Sequence, residues 1–216
     1  MKKIASPLFQ DLSEAELDSL AAAGHLRTRQ FAKHEVIFHA GSCVREIGIV
    51  LRGSVHIENL DLWGTKSILS SVGAGQAFAE TYAFCGEALM VDAVAAEHCE
   101  ILFLHTAALT DARIEPALQD KLLRRLLAVS MRKNLSLSQR IFCTTPKTVR
   151  GRLLTYFSAQ AARCGRMEFE VPFNRQQMAD YLNLDRSALS KELCKMRDEG
   201  LLEFDKNRFV LKQLPE

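Results

Sequence analysis

The sequence predicts an α+β protein in three parts: an N-terminal antiparallel β domain, a long helix and a C-terminal winged helix-turn-helix. Between Leu26 and Leu104, short apolar runs are divided by turn residues at spacings of about ten residues, which is typical of antiparallel β domains. Apolar residues then recur at helical spacing from Glu115 to Phe142. Asn174 to Leu202 shows two helical patterns separated by a three-residue turn.

Size and composition limit the class of protein. At 216 residues the chain has room for one or two domains, and 48% apolar with 25% charged residues is typical of globular proteins. The two N-terminal lysines have no apolar run behind them, and no segment is long and apolar enough to cross a bilayer. We therefore expect a cytoplasmic protein with no membrane partner.

The formal net charge of +2 is unevenly distributed along the chain. From Pro146 onward there are 13 Lys and Arg against 10 Asp and Glu, whereas residues 1–145 have 15 against 16. This mild basic bias agrees with nucleic-acid binding by the C-terminal part but does not by itself indicate it.

The first predicted elements are a short helix and a set of strands. The helix lies within Leu8–Ala22, with Ser13 as its cap and Glu16 as the capping-box partner. The strand-length runs are EVIF, IGIVL, VHI, SILSSV, AFAE, VDAVAA and CEILFL, and a turn is expected at Leu62-Trp63-Gly64. Seven or eight such strands predict one closed or sandwiched antiparallel β domain.

The predicted long helix is apolar on two sides, so one side can pack on the β domain while the other remains for a second partner. That other side has coiled-coil spacing with a polar break, which favours a dimer seam of fixed register. The seam residues are Leu123, Leu127, Asn134, Leu137 and Ile141. A helix buried within a monomer is the alternative.

The next helix is expected to begin close behind the long one. Thr145 is its predicted cap and Pro146 its first residue, because proline at that position loses no hydrogen bond. Residues Cys143 to Thr145 are then the predicted hinge between the domains.

Local end signals define the helix-turn-helix. Asn174 is the predicted cap of the first helix, with Gln177 as its capping-box partner. Asn183 tolerates the left-handed backbone that stops this helix, and Asp185 caps the second one. Gly200 takes the left-handed position after the second helix. Two short strands, LLEF and RFVL, follow around a turn and predict a wing.

The outer face of the second helix is polar and basic, as a helix that reads bases in the major groove requires. Two residues of the first helix, Arg175 and Gln176, face the same solvent side. The predicted DNA-binding residues are Arg175, Gln176, Arg186, Ser187, Ser190, Lys191 and Lys195. An ordinary pair of helices with a solvated charged face is the alternative, which the predicted wing makes weaker.

The six cysteines and six histidines are dispersed, with no CxxC motif and no pair at metal-ligand spacing. Reduced, mostly buried thiols are expected, and a thiol switch stays open. No metal site and no catalytic residue is predicted. A single haem ligand needs no motif, so haem also stays open.

The order of these parts resembles the CRP/FNR superfamily of bacterial transcription regulators. The resemblance is carried by EVIFHAG, IVLRGSVHI, GAGQAFAE, PKTVRGRLLTYF and NRQQMADYLNLDRSALSKEL, in this order. It implies a double-stranded β-helix, or β-roll, of the cyclic-nucleotide-binding type over residues 1–113, a dimerisation helix over 114–143 and a DNA-binding domain over 144–216. It further implies a homodimer that binds double-stranded DNA, with RNA polymerase and a small-molecule effector as further partners.

Both predicted sites depart from the patterns of the family's type members. The family's base-contact positions fall on Arg186-Ser187 and Ser190-Lys191, which match neither type member in full, so a partly different operator is expected. The effector pocket implied by the resemblance comprises Phe78, Ala79, Glu80, Leu89 and Met90. Cyclic-AMP binders have an Arg-Ser phosphate clamp where this chain has Leu89-Met90, and an unpaired buried phosphate costs several kcal/mol.

Cyclic AMP is therefore not the expected ligand. An iron–sulfur cluster is not expected either, because no N-terminal cysteine cluster is present. Three kinds of signal stay open for the β-roll: an apolar or weakly polar small molecule, haem, or a thiol switch. A constitutive regulator with a purely structural β-roll also stays open. A cupin-like β-barrel metalloenzyme is the alternative outside the family, but His56-Ile57-Glu58 supplies only one histidine for it.

Overall fold

The computed structural model describes residues 4–60 and 66–212, without the side chains of residues 60 and 66. The predicted turn at Leu62-Trp63-Gly64 lies outside the described residues. The chain divides into two compact units, Met1–Arg132 and Lys133–Glu216. Among the described residues, no helix has the length and apolar character needed to span a membrane.

The N-terminal unit begins with a 3-10 turn, Pro7–Phe9, and helix α1, Glu14–Ala22. Ser13 and Glu16 form the predicted capping box, which is why the α-helix starts only after Ser13. Leu17 and Leu20 of α1 are buried.

Within the described part of this unit, eight strands follow in two antiparallel sheets of four. The strands are β1 Leu26–Phe31, β2 Val36–Phe38, β3 Glu46–Arg52, β4 Ser54–Leu60, β5 Lys66–Gly73, β6 Ala77–Phe78, β7 Asp92–Ala95 and β8 Cys99–His105. One sheet has the order β1-β8-β3-β6 and the other β2-β7-β4-β5. Phe31, Val50 and Phe103 of the first sheet form a common core with Phe38 and Val55 of the second. The predicted sandwiched β domain is confirmed.

One predicted strand is wrong in part. In AFAE only Ala77–Phe78 is a strand, because Ala79 adopts a left-handed conformation with φ of 60°. Glu80 then begins a short helix, α2, Glu80–Cys85, which was not among the predicted elements.

The predicted long helix is confirmed as one continuous element, α3, Pro116–Thr144. Its first half contributes Leu118, Leu122 and Leu126 to a core shared with α1 and β8. Its other leucines and Ile141 are solvent-exposed.

The C-terminal unit adds α4 Val149–Cys164, β9 Glu168–Glu170, α5 Arg175–Leu182, α6 Arg186–Asp198, β10 Leu202–Asp205 and β11 Arg208–Leu211. The strands form one sheet in the order β10-β11-β9, so the predicted wing is confirmed and gains a third strand. The core of the C-terminal unit contains four fully buried side chains from these elements: Phe157 of α4, Leu189 and Leu193 of α6, and Phe209 of β11.

The predicted start of α4 is wrong. Thr148, not Thr145, caps this helix, and its side chain accepts a hydrogen bond from the Gly151 amide at 3.0 Å. The Thr145 hydroxyl instead donates to the carbonyl of Ile141 at 2.8 Å. Thr145 therefore closes α3, and Pro146 precedes the first turn of α4.

Candidate nucleic-acid interface

The first helix of the helix-turn-helix, α5, has the predicted ends. The Asn174 side chain accepts from the Gln177 amide and the Gln177 side chain accepts from the Asn174 amide, both at 2.9 Å. Asn183 ends the helix in the left-handed conformation, with φ of 53°. The turn to α6 is thus defined on both sides by residues that suit it.

Asp185 organises the first turn of α6. Its carboxylate accepts hydrogen bonds from the amides of Ser187 at 2.8 Å and Ala188 at 2.9 Å, and from the Ser187 hydroxyl at 2.5 Å. The Ser187 hydroxyl and these amides hold the pKa of Asp185 below its usual value. The hydroxyl proton of Ser187 is therefore used within the protein.

The two faces of α6 divide as predicted. Leu189, Leu193 and Met196 are fully buried. The outward face contains the predicted reading residues, of which Ser190 is half-buried and the others are exposed: Arg186, Ser187, Ser190, Lys191 and Lys195. Within the described part of the chain, Arg186 forms no ion pair. Contact between these five residues of α6 and DNA stays a prediction.

The acidic residues of α6 are paired, which leaves its outward face basic. Arg150 of α4 binds Glu192 at 2.6 Å and Glu199 at 2.8 Å. This guanidinium holds the pKa of Glu199 below its usual value. Asp198 binds its neighbour Arg197 at 2.9 Å. The two Arg150 pairs also tie α6 to α4, so they support the position of α6.

The prediction that Arg175 projects from the solvent face is wrong. Its guanidinium lies over the rings of Phe204 and Phe209, at 5.0 and 5.1 Å from their centroids, and burial lowers its pKa. These ring faces attract the cation, so Arg175 packs against the wing. Gln176 is exposed, and its amide donates to Asp180 at 2.9 Å.

A cleft separates the wing turn from the start of α5. Its polar lining includes Asn174 and Arg175 on the α5 side and Lys206 and Asn207 on the wing side. Lys206 takes the left-handed conformation at the tip of the turn, with φ of 49°. Pro172 and Phe173 complete the lining of the cleft, so polar and apolar groups meet beside the N-terminus of α5.

Two further arginines, which were not among the predicted site residues, lie at the other end of α5. Arg140 donates to the carbonyls of Asp180 and Tyr181, and Arg152 donates to those of Leu182 and Asn183. No local pattern marks these residues, since both contacts link distant parts of the chain.

The predicted effector-pocket residues are only partly brought together. Phe78 and Leu89 are buried in the same core cluster, with Ala79 packed against it. The Phe78 ring lies 5.8 Å from that of Phe38 and fills the space that a side chain at Gly48 would need. Glu80 is buried at the start of α2. Met90, by contrast, is 77% exposed, so it lies on the surface instead of lining a buried pocket.

The predicted seam residues are exposed in the single chain. The exposed fractions are 47% for Leu123, 55% for Leu127, 60% for Leu137 and 66% for Ile141, and Asn134 is also exposed. Exposed apolar area of this extent along one helix face is typical of an interaction site.

The expectation of mostly buried thiols is wrong. Cys99 and Cys143 are buried, but Cys43, Cys85, Cys164 and Cys194 are exposed. Burial raises the pKa of the Cys143 thiol. Within the described residues, no group of three or more His, Cys, Asp or Glu side chains could hold a metal ion. His56, the histidine considered for a cupin-like site, has its Nδ1 3.7 Å from Oε1 of Glu58.

Two family models match the chain. A cyclic nucleotide-binding domain matches residues 28–113, and a Crp-like helix-turn-helix domain matches residues 151–216. No curated protein gives a significant sequence match.

Several solved structures have the same fold. The catabolite activator protein of Thermus thermophilus is 25% identical, covering 96% of this chain and 94% of that chain at a TM-score of 0.50. FixK2 from Bradyrhizobium japonicum is 19% identical, with 87% and 93% covered and a TM-score of 0.52. CprK in complex with OCPA is 13% identical, with 91% and 92% covered and a TM-score of 0.66.

The two domain matches occur in the order that the fold shows, the β-roll first and the helix-turn-helix second. The similarity to the Thermus activator extends over nearly the whole of both chains. The chain therefore belongs to the CRP/FNR superfamily of DNA-binding transcription regulators, with low identity to its type members.

Proposed function

We propose that the protein acts as a homodimer that recognises an inverted-repeat DNA operator and responds to a signal sensed in the β-roll. The observation that carries this proposal is the outward face of α6, on which Arg186, Lys191 and Lys195 are exposed while the helix's acidic residues are paired with arginines. Such a face suits base edges in the major groove.

The exposed apolar face of α3 supports the homodimer. Leu137 and Ile141 lie four residues apart, with the polar Asn134 three residues before Leu137, as coiled-coil spacing requires. A two-fold axis along this seam would pair two recognition helices about 34 Å apart, one turn of DNA. An inverted repeat is the operator that such symmetry selects.

The residues of the β-roll support an effector other than cyclic AMP. Leu89 is buried among apolar side chains and Met90 lies on the surface, where a cyclic phosphate would need a cation and a hydroxyl. An apolar or weakly polar small molecule, haem or a redox signal through thiols fits this chemistry better. RNA polymerase is the further protein partner in this proposal, on the basis of the family alone.

A substitution of Arg186 tests the DNA-binding part. Arg186→Ala should weaken binding to the cognate operator by roughly 10- to 100-fold, because a bidentate contact to guanine contributes about 1–3 kcal/mol of discrimination. Binding to random DNA should change by less than about twofold at matched salt. Arg166→Ala removes an exposed arginine outside the helix-turn-helix and is the matched control. Equal losses on cognate and random DNA would contradict the assignment.

A constitutive regulator with a purely structural β-roll is the second candidate, and the packing of Phe78 favours it. This ring is buried between Phe38 and Gly48, so the roll's own side chains fill space there. A thermal-shift screen with small molecules and haem separates the two candidates. A specific ligand raises the unfolding temperature of a sensor, whereas a filled scaffold gives no specific hit.

A further inference from the structure

The C-terminal end of α5 is held by an arginine of the long helix α3. Arg140, near the end of α3, donates from Nε to the Tyr181 carbonyl at 3.0 Å and from Nη2 to the Asp180 carbonyl at 2.9 Å. The guanidinium also lies 5.9 Å from the centroid of the Tyr181 ring. Carbonyls in the last turn of a helix lack their full set of intrahelical donors, and a cation there is stabilised by the helix dipole.

A second arginine continues this arrangement into the turn. Arg152 of α4 donates from Nη1 to the carbonyls of Leu182 at 3.1 Å and Asn183 at 2.7 Å. Four consecutive carbonyls before Leu184 therefore accept from two guanidinium groups. Because Asp185 then caps α6, the turn is fixed at both sides, and α6 must follow any displacement of the end of α5.

The position of Arg140 within α3 places this contact next to the proposed dimer seam. Leu137 and Ile141, three residues before and one after, are exposed and belong to the proposed seam. In coiled-coil terms Arg140 flanks the seam, where a charged residue ordinarily pairs with the partner helix. Here the Arg140 guanidinium instead donates to carbonyls of α5. The same turn of α3 therefore contacts the helix-turn-helix and carries part of the proposed dimer seam.

We propose that Arg140 is a positioning residue that fixes the helix-turn-helix relative to the dimer axis and so determines which spacing of the two half-sites the protein accepts. This inference rests on the proposed homodimer. The planar guanidinium of Arg140 makes two charge-assisted hydrogen bonds in a fixed geometry, which an apolar side chain of similar length cannot make.

Operators with altered half-site spacing test this role. The operator is prepared at the native spacing, with two base pairs added or removed at its centre, and as a single half-site. Two base pairs turn one half-site by roughly 70° around the DNA axis.

The wild-type protein should bind the altered operators at least about tenfold more weakly, whereas Arg140→Met should reduce this preference to below about threefold. Single half-site binding should stay within about twofold of wild type in the variant, because the base-contact residues are unchanged. Gln139→Met, at an exposed neighbouring position, is the matched control.

Several outcomes would overturn the inference. One is an unchanged spacing profile in Arg140→Met, and another is a loss on the single half-site as large as on the full operator. If the Met variant loses its native circular dichroism, the profile is measured on Arg140→Lys, whose single ammonium cannot reproduce the planar pair of bonds; an unchanged profile there has the same meaning. A wild-type protein that sediments as a monomer, or shows no spacing preference, would instead contradict the homodimer.

Discussion

The two halves of α3 are both rich in leucine, but only the first half buries leucine side chains. Leu118, Leu122 and Leu126 are 2%, 0% and 6% exposed, whereas Leu135 and Leu137 are 63% and 60% exposed. Helical spacing determines which residues share a face, but the burial of that face depends on what lies against it. The β domain covers one face of the first half, whereas both leucines of the second half lie on surface that a single chain leaves uncovered.

Polar contacts separate the two halves in the same way. In the first half, Lys121 binds Glu16 of α1 at 2.7 Å, and Arg125 binds Asp11. In the second half, Arg140 reaches the carbonyls of α5. Each half of the helix thus belongs structurally to a different unit, and the boundary between the units falls inside the helix, after Arg132.

The largest expected effect comes from a cavity in the buried half. Leu122→Ala should lower the free energy of unfolding by about 2–5 kcal/mol, because a fully buried leucine leaves a void that its neighbours fill only in part. The matched control is Leu135→Ala on the exposed half, which should change it by less than about 0.5 kcal/mol. Chemical denaturation followed by circular dichroism, at a concentration where the protein is monomeric, gives both values. Equal costs would remove the distinction between the halves.

A charge in the exposed half should act on assembly. Leu137→Glu would bring two carboxylates together at the proposed seam, so operator affinity should fall by at least about 100-fold and the protein should sediment as a monomer. Gln139→Glu places the same charge beside the seam residue and should leave both properties nearly unchanged. A dimer that survives Leu137→Glu would show that the exposed face serves something other than self-association.

A smaller effect is expected at the polar break. Asn134→Leu should strengthen the dimer by about 1–2 kcal/mol and loosen its choice of register or oligomeric state, because a polar residue in a seam costs stability and specifies pairing. Thermal unfolding at several protein concentrations, with sedimentation equilibrium, measures both effects. An unchanged or weaker dimer would place Asn134 outside the interface.

The smallest perturbation is chemical labelling of the cysteines. Four of them, Cys43, Cys85, Cys164 and Cys194, should react rapidly with a thiol reagent in the native protein, and Cys99 and Cys143 only after unfolding. Because burial raises the pKa of Cys143, less of its reactive thiolate is present at pH 8 than for an ordinary thiol, which slows it further. Rapid labelling of Cys143, located by mass spectrometry, would show that the end of α3 opens.

The helix-turn-helix could be predicted from the sequence because its signals are local. Asn174 with Gln177, and Asp185 with the two amides that follow, are side-chain contacts within three residues of the chain. Asn183 and Gly200 adopt the left-handed backbone that their residue types permit. These features depend little on the rest of the fold, and all of them are confirmed.

The parts that could not be predicted depend on competition or on distance. Thr145 had a suitable sequence position to cap α4, but its hydroxyl is directed back to the Ile141 carbonyl of α3 and Thr148 caps α4 instead. Arg140 contacts residues 40 and 41 positions away, and Arg175 turns toward rings of the wing, so no local pattern reveals either contact. Strand β9 pairs with β11, which lies about 40 residues later in the chain. The placement of Met90 at the surface likewise depends on packing that periodicity does not describe.

The hydrogen bond from the Ser187 hydroxyl to Asp185 has a consequence for the operator itself. A serine hydroxyl has one proton and two lone pairs, and here the proton is directed back into the protein. Toward the groove, Ser187 therefore presents only acceptors. Adenine and cytosine carry amino groups at the major-groove edge, whereas guanine O6 and thymine O4 are themselves acceptors. The base beneath Ser187 is accordingly expected to be one that carries an amino group, and the pairing that selects it is fixed by a cap two residues earlier in the chain.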